Sequence, residues 1–167
     1  PMTASEPWLH WHDRLHRQLL LKPTLLPRGT TLLLALSGGQ DSMALLGLLR
    51  DLRKHHHWTL QLWHGDHGWH PGSACVSKDL AKWCAQEALP LRVSRSTAEM
   101  TSGEAAARAW RYSELSQYAQ QLNQTCASSN SCTVVTAHTA SDRDTIRLGL
   151  RPIRRRDVEP PPPRSAA

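Results

Sequence analysis

The sequence predicts a doubly wound α/β domain: a parallel sheet with helices on both faces, one further helix at its start and a disordered tail at its end. Three observations lead there. Apolar runs of strand length recur at Thr31–Leu36, 58–63, 89–94 and 132–137. A segment of helical period separates each from the next, as the crossover between parallel strands requires. Two adjacent glycines follow the first run directly, as where a buried strand turns sharply into a helix.

Along the chain, residues 5–22 carry Trp8, Trp11, Leu15 and Leu19 at spacings of three and four, with Asp13, Arg14 and Arg17 opposite. An amphipathic helix with those four residues inward is expected, ended by Pro23 and Pro27. Thr31–Leu36 is apolar after its first residue, which suits a strand covered on both faces. Residues 42–54 return to helical period through Met43, Leu46, Leu49 and Leu52, with Asp41 and Ser42 at the start. His55-His56-His57 reads as a solvated helix end. Residues 58–63 form the second strand, and 73–88 a helix with Val76, Leu80, Trp83 and Cys84 inward. Residues 89–94 are the third strand, 103–124 a long helix, 125–131 a polar loop and 132–137 the fourth strand. The expected domain is therefore 1–145. Residues 146–167 hold Arg154-Arg155-Arg156 and Pro160-Pro161-Pro162-Pro163 with little to bury. They cannot recover the entropy of ordering and are expected to be a disordered tail.

A chain of 167 residues fits one such domain. No apolar run approaches the roughly 18 residues that cross a bilayer, so no membrane partner is expected. No basic, apolar and small-residue pattern opens the chain, so no secretory signal is expected either. Cys75, Cys84, Cys126 and Cys132 contain no C-x-x-C pair, which points to a reduced, cytoplasmic setting rather than a disulfide scaffold. The formal charge of +6 suits a polyanionic partner. Much of it, however, comes from arginines between Arg147 and Arg164.

The chemistry concentrates in Ser37-Gly38-Gly39-Gln40-Asp41-Ser42. Paired glycines allow positive φ and remove side chains that would hold a phosphate away, so successive N–H groups can wrap an anion at a helix start. Ser37 and Ser42 add hydroxyls. The G-x-x-x-x-G-K-[ST] spacing and its lysine are absent, so phosphate charge must be met by backbone dipoles, by Mg²⁺ or by arginines from elsewhere. Asp41 is the nearest carboxylate: either it holds Mg²⁺ or it caps the helix.

The loop resembles the S-G-G-x-D-S signature of the N-type ATP pyrophosphatases (PP-loop enzymes), which cleave ATP between the α- and β-phosphates. Five fixed positions would match by chance on the order of once in ten thousand chains of this size. Three further segments resemble one family within that group, the tRNA(Ile)-lysidine synthetases. His64-Gly65-Asp66-His67-Gly68 is similar to an H-x-D-H-G segment after the second strand. Glu104, Arg108, Arg111 and Tyr112 are similar to an E-x-x-x-R-x-x-R-Y helix, and Thr136-Ala137-His138 to a T-A-H segment after the fourth strand.

The resemblance implies a Rossmann-like fold of the adenine nucleotide alpha hydrolase kind and an ATP- and Mg²⁺-dependent ligase. Its substrates would be lysine and the wobble cytidine of tRNA(Ile), with the base adenylated before the amine attacks. In this chain Ser37, Gly38, Gly39, Gln40 and Ser42 would cradle phosphates, and Asp41 would hold Mg²⁺. Asp66 and His67 would contact the nucleotide, and Arg108, Arg111 and His138 would offset charge around the transferred AMP.

Each has a plainer alternative. Glu104, Arg108 and Arg111 share a helix face and could simply pair with one another. His138 could be structural. His64, His67 and His70 are spaced by threes, but in a Gly- and Pro-rich loop such spacing does not create one metal-binding face. The match also has a gap: the family's D-x-x-E-T continuation is here Asp142-Arg143-Asp144-Thr145, lacking the glutamate. From this the sequence suggests a truncated or frame-changed synthetase, with a non-catalytic nucleotide-binding remnant as the alternative. A PP-loop tRNA thiolase is a third reading, and the absence of C-x-x-C weighs against it.

Overall fold

The computed structural model describes residues 8–97, 102–125, 131–139 and 146–151, with residues 138, 139 and 146–151 described by their backbone. Helix α1 (His10–Leu21) precedes strand β1 (Thr31–Leu36), helix α2 (Gln40–His56) and strand β2 (Thr59–Asp66). Helix α3 (Ser73–Gln86), strand β3 (Leu91–Arg95), helix α4 (Glu104–Thr125), strand β4 (Thr133–Thr139) and strand β5 (Ile146–Arg151) follow. The sheet order is β3-β2-β1-β4-β5. Strands β1 to β4 are parallel, with Leu34 opposite Leu62 on one side and Val135 on the other.

Alternation along β1 builds a core on each face. Leu32, Leu34 and Leu36 join Leu46, Leu49 and Leu52 of α2, Leu80 and Cys84 of α3 and Leu19 of α1. Leu33 points to the other face, where α4 brings Trp110, Leu115, Ala119 and Leu122 against Trp63 and Val134. Both faces of the central strand are thus dry, as its unbroken apolar run predicts.

The chain reverses direction across the sheet between β1 and β4, since β2 and β3 lie to one side of β1 and β4 to the other. A crevice opens beyond the carboxyl ends of the strands at such a switch point. The glycine loop directly follows β1, so topology alone delivers it there.

Several expectations need correction. On α1 the indoles of Trp8 and Trp11 are exposed, 45% and 54%, and His12 is buried instead. Its Nδ1 accepts the Leu9 N–H and its Nε2–H donates to Asp51 at 2.8 Å, so an imidazole both caps α1 and ties it to α2. The α1 face that packs is therefore His12, Leu15 and Leu19. His56 is buried as well: it stacks on Trp58 at 4.4 Å and shares a hydrogen bond with His16. His55 and His57 are exposed and match a solvated helix end, His57 in the left-handed region as the C-cap of α2. On α3, Leu80 and Cys84 point inward but Val76 is exposed.

The largest correction concerns the tail. Residues 146–151 are not disordered but form β5, antiparallel to β4, with Val135 opposite Leu150 and Ala137 opposite Leu148. The physical reason is pairing: β4 would otherwise be an edge with a free row of N–H and C=O groups. The alternation Ile146-Arg147-Leu148-Gly149-Leu150-Arg151 is strand period, masked in the sequence by its arginines. The sheet is therefore mixed at one edge. Residues 152–167, also assigned to the tail, lie outside the described residues.

Candidate active site

The glycine loop is held by its own hydroxyls. Gly38 sits at φ +83°, a conformation that L side chains rarely adopt, and an added Cβ would lie 3.1 Å from Val76 Cγ1. Gly39 is the N-cap of α2 and donates its N–H to Ser37 Oγ at 3.2 Å. Ser42 Oγ donates to the Gly39 carbonyl at 3.0 Å, accepts the Ser37 N–H at 3.3 Å and lies 3.1 Å from Ser37 Oγ. Ser42 is only 2% exposed, so its hydroxyl shapes the loop from beneath. That differs from its expected place as a phosphate donor. Ser37, Gly38, Gly39 and Gln40 stand at the surface, where an anion can reach them.

Because Gly39 is the cap, Asp41 does not cap the helix. It lies exposed in the first turn of α2. Among the described residues no three His, Cys, Asp or Glu side chains converge as a metal cage. Mg²⁺ commonly takes one or two carboxylates and completes its shell with phosphate oxygens and waters. A single carboxylate beside a phosphate loop fits an ion that arrives with a triphosphate.

Strand β2 runs longer than expected and takes in His64, Gly65 and Asp66. His64 turns inward: Nδ1 donates to the Leu36 carbonyl at 2.7 Å and Nε2 meets Ser77 Oγ at 3.1 Å, tying β2 to the last residue of β1. Asp66 is buried, accepts the Gly68 N–H at 3.0 Å and pairs with Arg95 at 3.3 Å. Burial alone would raise its pKa. The Gly68 N–H, the Ser73 hydroxyl, Arg95 and His64 outweigh that and hold it below the usual carboxylate value. Asp66 therefore ties the loop together through Gly68 and Arg95.

Beside the glycine loop lies a cleft of about 220 Å³. Of the expected site residues it gathers Ser37, His67 and Arg111. It adds Trp63, Gly65 and Tyr112, and closes with Thr136 and Ala137 of β4. Burial, then the charge of Arg111, lowers the His67 pKa despite the opposing pull of Asp66, so the imidazole is neutral at neutral pH.

Among the described residues no ion pair joins Glu104 to Arg108 or Arg111. Arg108 lies over the Tyr112 ring at 5.4 Å. His138 is the penultimate residue of β4, opposite Arg147 in the ladder, and its side chain lies outside the described residues.

Sequence reasoning missed Trp63 and passed over Gly65 and Tyr112, although both of the latter stand inside motifs it had singled out. An added Cβ at Gly65 would fall 2.5 Å from the Trp63 ring and 3.0 Å from Trp110, so the glycine is what lets Trp63 line the cleft with Trp110 packed behind it. Among the described residues, no helix is long and apolar enough to cross a membrane.

Residues 12–155 match the family described as a PP-loop domain. A tRNA(Ile)-lysidine synthase from Parasynechococcus marenigrum is 54% identical over 144 residues, covering 86% of this chain and 40% of that protein. The enzyme of the same name from Prochlorococcus marinus is 45% identical over 140 residues, covering 84% and 42%. The chain thus spans about 40% of the length of the curated relatives it matches. Among solved structures, the U34-tRNA thiolase NcsA from Methanococcus maripaludis, described with its 4Fe-4S cluster, has a TM-score of 0.56. It is 15% identical, with 71% of this chain and 43% of that one covered, and bears on the fold alone.

Proposed function

Because this chain belongs to the PP-loop domain family, we propose that it uses ATP to ligate lysine to the wobble cytidine of tRNA(Ile), through an adenylated base. The relatives that carry the name tRNA(Ile)-lysidine synthase suggest the substrates. The observation that carries the reading within this chain is the meeting of Ser37, His67 and Arg111 in one cleft at the sheet's switch point. A cytoplasmic setting, where ATP and tRNA meet, goes with it.

In this reading the N–H groups of the glycine loop and the positive end of α2 hold the triphosphate. Mg²⁺, held by Asp41 and the phosphates, would offset their charge. The cytidine C2 oxygen forms a bond to the α-phosphorus as the bond to the β-phosphate oxygen breaks, releasing pyrophosphate. The lysine ε-amine then bonds to C2, the C2–O bond breaks and AMP leaves with that oxygen, the amine giving up a proton. Arg111, with Arg108 beside it, offsets charge on the transferred AMP. His138 is assigned the same task on the β4 side, and neutral His67 can donate or accept one hydrogen bond there. The geometry disfavours a thiolase reading: among the described residues Cys84 and Cys132 are buried, Cys75 is exposed, and none of the three lines the cleft.

The test is exchange of radiolabelled pyrophosphate into ATP with Mg²⁺, with and without tRNA(Ile), followed by transfer of labelled lysine. Exchange that requires tRNA(Ile) is the expected result. A chain that binds ATP yet shows no tRNA-dependent exchange would overturn the assignment.

A further inference from the structure

Four aromatic rings form a path from the core to the surface, two of them, Trp63 and His67, lining the cleft. Trp63 and Trp110 are buried with ring centroids 5.9 Å apart. His67 meets Trp110 edge-on at 5.1 Å, and Trp69 lies nearly flat on His67 at 5.0 Å and 28°. Trp69 is 47% exposed, although a folded chain gains by hiding so large an apolar surface. Trp69 itself does not line the cleft, but its partner His67 does.

The segment that presents it is anchored at several points. Asp66 accepts the Gly68 N–H, Gly68 takes φ +67°, and Ser96 bonds to the Asp66 and His67 carbonyls. A ring held this way loses little freedom when a ligand stacks on it. Cationic groups adjoin the same cleft: Arg111 lines it, and exposed Arg108 lies over exposed Tyr112. Aromatic faces interleaved with arginines suit a ligand with both a flat π-system and negative charge. Unpaired bases on a phosphodiester strand have that chemistry.

We propose that Trp69, backed by His67, is the stacking platform for an unpaired RNA base delivered to the cleft. The platform rests on the tRNA reading above for its natural ligand but can fail separately from it. Adenine of ATP is the disfavoured occupant, since the triphosphate is assigned to the glycine loop and Trp69 lies outside the small cleft beside it.

The experiment measures binding of the full chain to three probes: fluorescein-labelled oligocytidylate, the tRNA(Ile) anticodon stem-loop, and ATP. Trp69→Ala should weaken both RNAs about tenfold, within the range of one lost base–aromatic stack. It should leave ATP affinity and the thermal transition unchanged. Trp69→Phe should restore affinity to within about threefold, and Trp69→Leu should not, which separates ring stacking from simple apolar filling. The slope of log affinity against log salt should be the same for Trp69→Ala and the unaltered chain, because no phosphate contact is lost.

RNA affinity unchanged in Trp69→Ala, or absent in the unaltered chain, overturns the platform. An equal loss of ATP affinity also overturns it, in favour of adenine. Oligocytidylate bound through Trp69 with the stem-loop ignored would keep the platform and sink the tRNA(Ile) reading instead.

Discussion

The loops after β1 and β2 stand side by side at the same sheet edge and are ordered by different means. The first is almost all backbone: glycines at 38 and 39 are knit by the hydroxyls of Ser37 and Ser42 and lie open at the surface. The second is built from side chains. A buried carboxylate, Asp66, gathers the Gly68 N–H and Arg95, and Trp63, Trp110, His67 and Trp69 form a run of ring contacts. A backbone loop recognises what every nucleoside triphosphate shares, because N–H groups see only charge and shape. A side-chain wall can discriminate a particular partner. In the proposed reading, general grip and specific recognition are divided between these neighbouring loops.

That division can be broken most severely at Gly65. Replacing it with Ala places a methyl 2.5 Å from the Trp63 ring, and overpacking of this kind costs roughly 1–3 kcal/mol. We expect the upper part of that range in chemical denaturation, with the aromatic wall displaced and RNA binding weakened more than ATP binding. A Gly65→Ala chain as stable as the original would show that the wall adapts freely.

Gly38→Ala tests the other loop and should cost about 1–2 kcal/mol of stability from left-handed strain, with the Val76 contact added. ATP affinity should fall at least tenfold in isothermal titration, while oligocytidylate binding changes little. Gly39→Val is the gentler change, since φ is ordinary there and an added Cβ meets only Ser37 Oγ at 3.3 Å. It should still cut ATP affinity about tenfold, about 1.4 kcal/mol, by crowding the phosphate. Unchanged ATP affinity in both folded variants would remove the triphosphate from this loop.

Ser42→Ala should cost about 1 kcal/mol, the scale of a buried hydroxyl's hydrogen bonds. ATP affinity should fall a few-fold through loss of loop order rather than of a direct contact. The smallest effect is one of pH. The folded-state pKa of His67 lies below its unfolded value, so its contribution is present above the unfolded value of about 6.5. It is lost as pH falls from there toward the folded value, where a proton would sit beside Arg111. Replacing His67 with Asn should flatten that part of the stability-against-pH curve. Buried His56, lowered by desolvation and then by His16, contributes a slope of the same sign that remains. An unchanged curve would mean that His67 is protonated equally in both states.

Local pattern was enough for four strands, four helices and the phosphate loop, because period and glycine placement act over a few residues. It failed where partners are distant in sequence. The burial of His12 depends on Asp51, that of His56 on His16 and Trp58, and strand β5 on the open edge of β4. None of these is visible within one helix turn or one strand. Motifs in the sequence named Ser37, His67 and Arg111 as site residues, and the structure brings them to one cleft. It also buries Ser42 and Asp66 and bonds both to loop backbone, because burial and hydrogen-bond direction belong to the fold rather than to the motif.

The sequence by itself therefore determined the alternation of strands and helices and the anion-binding loop, since both follow from short-range sterics and hydrophobic period. Only the tertiary structure decided which motif residues face the cleft and that Trp63 lines it beside Gly65. Only it, too, leaves Trp69 in the open. Those outcomes hinge on strand order and on contacts between residues that lie tens of positions apart.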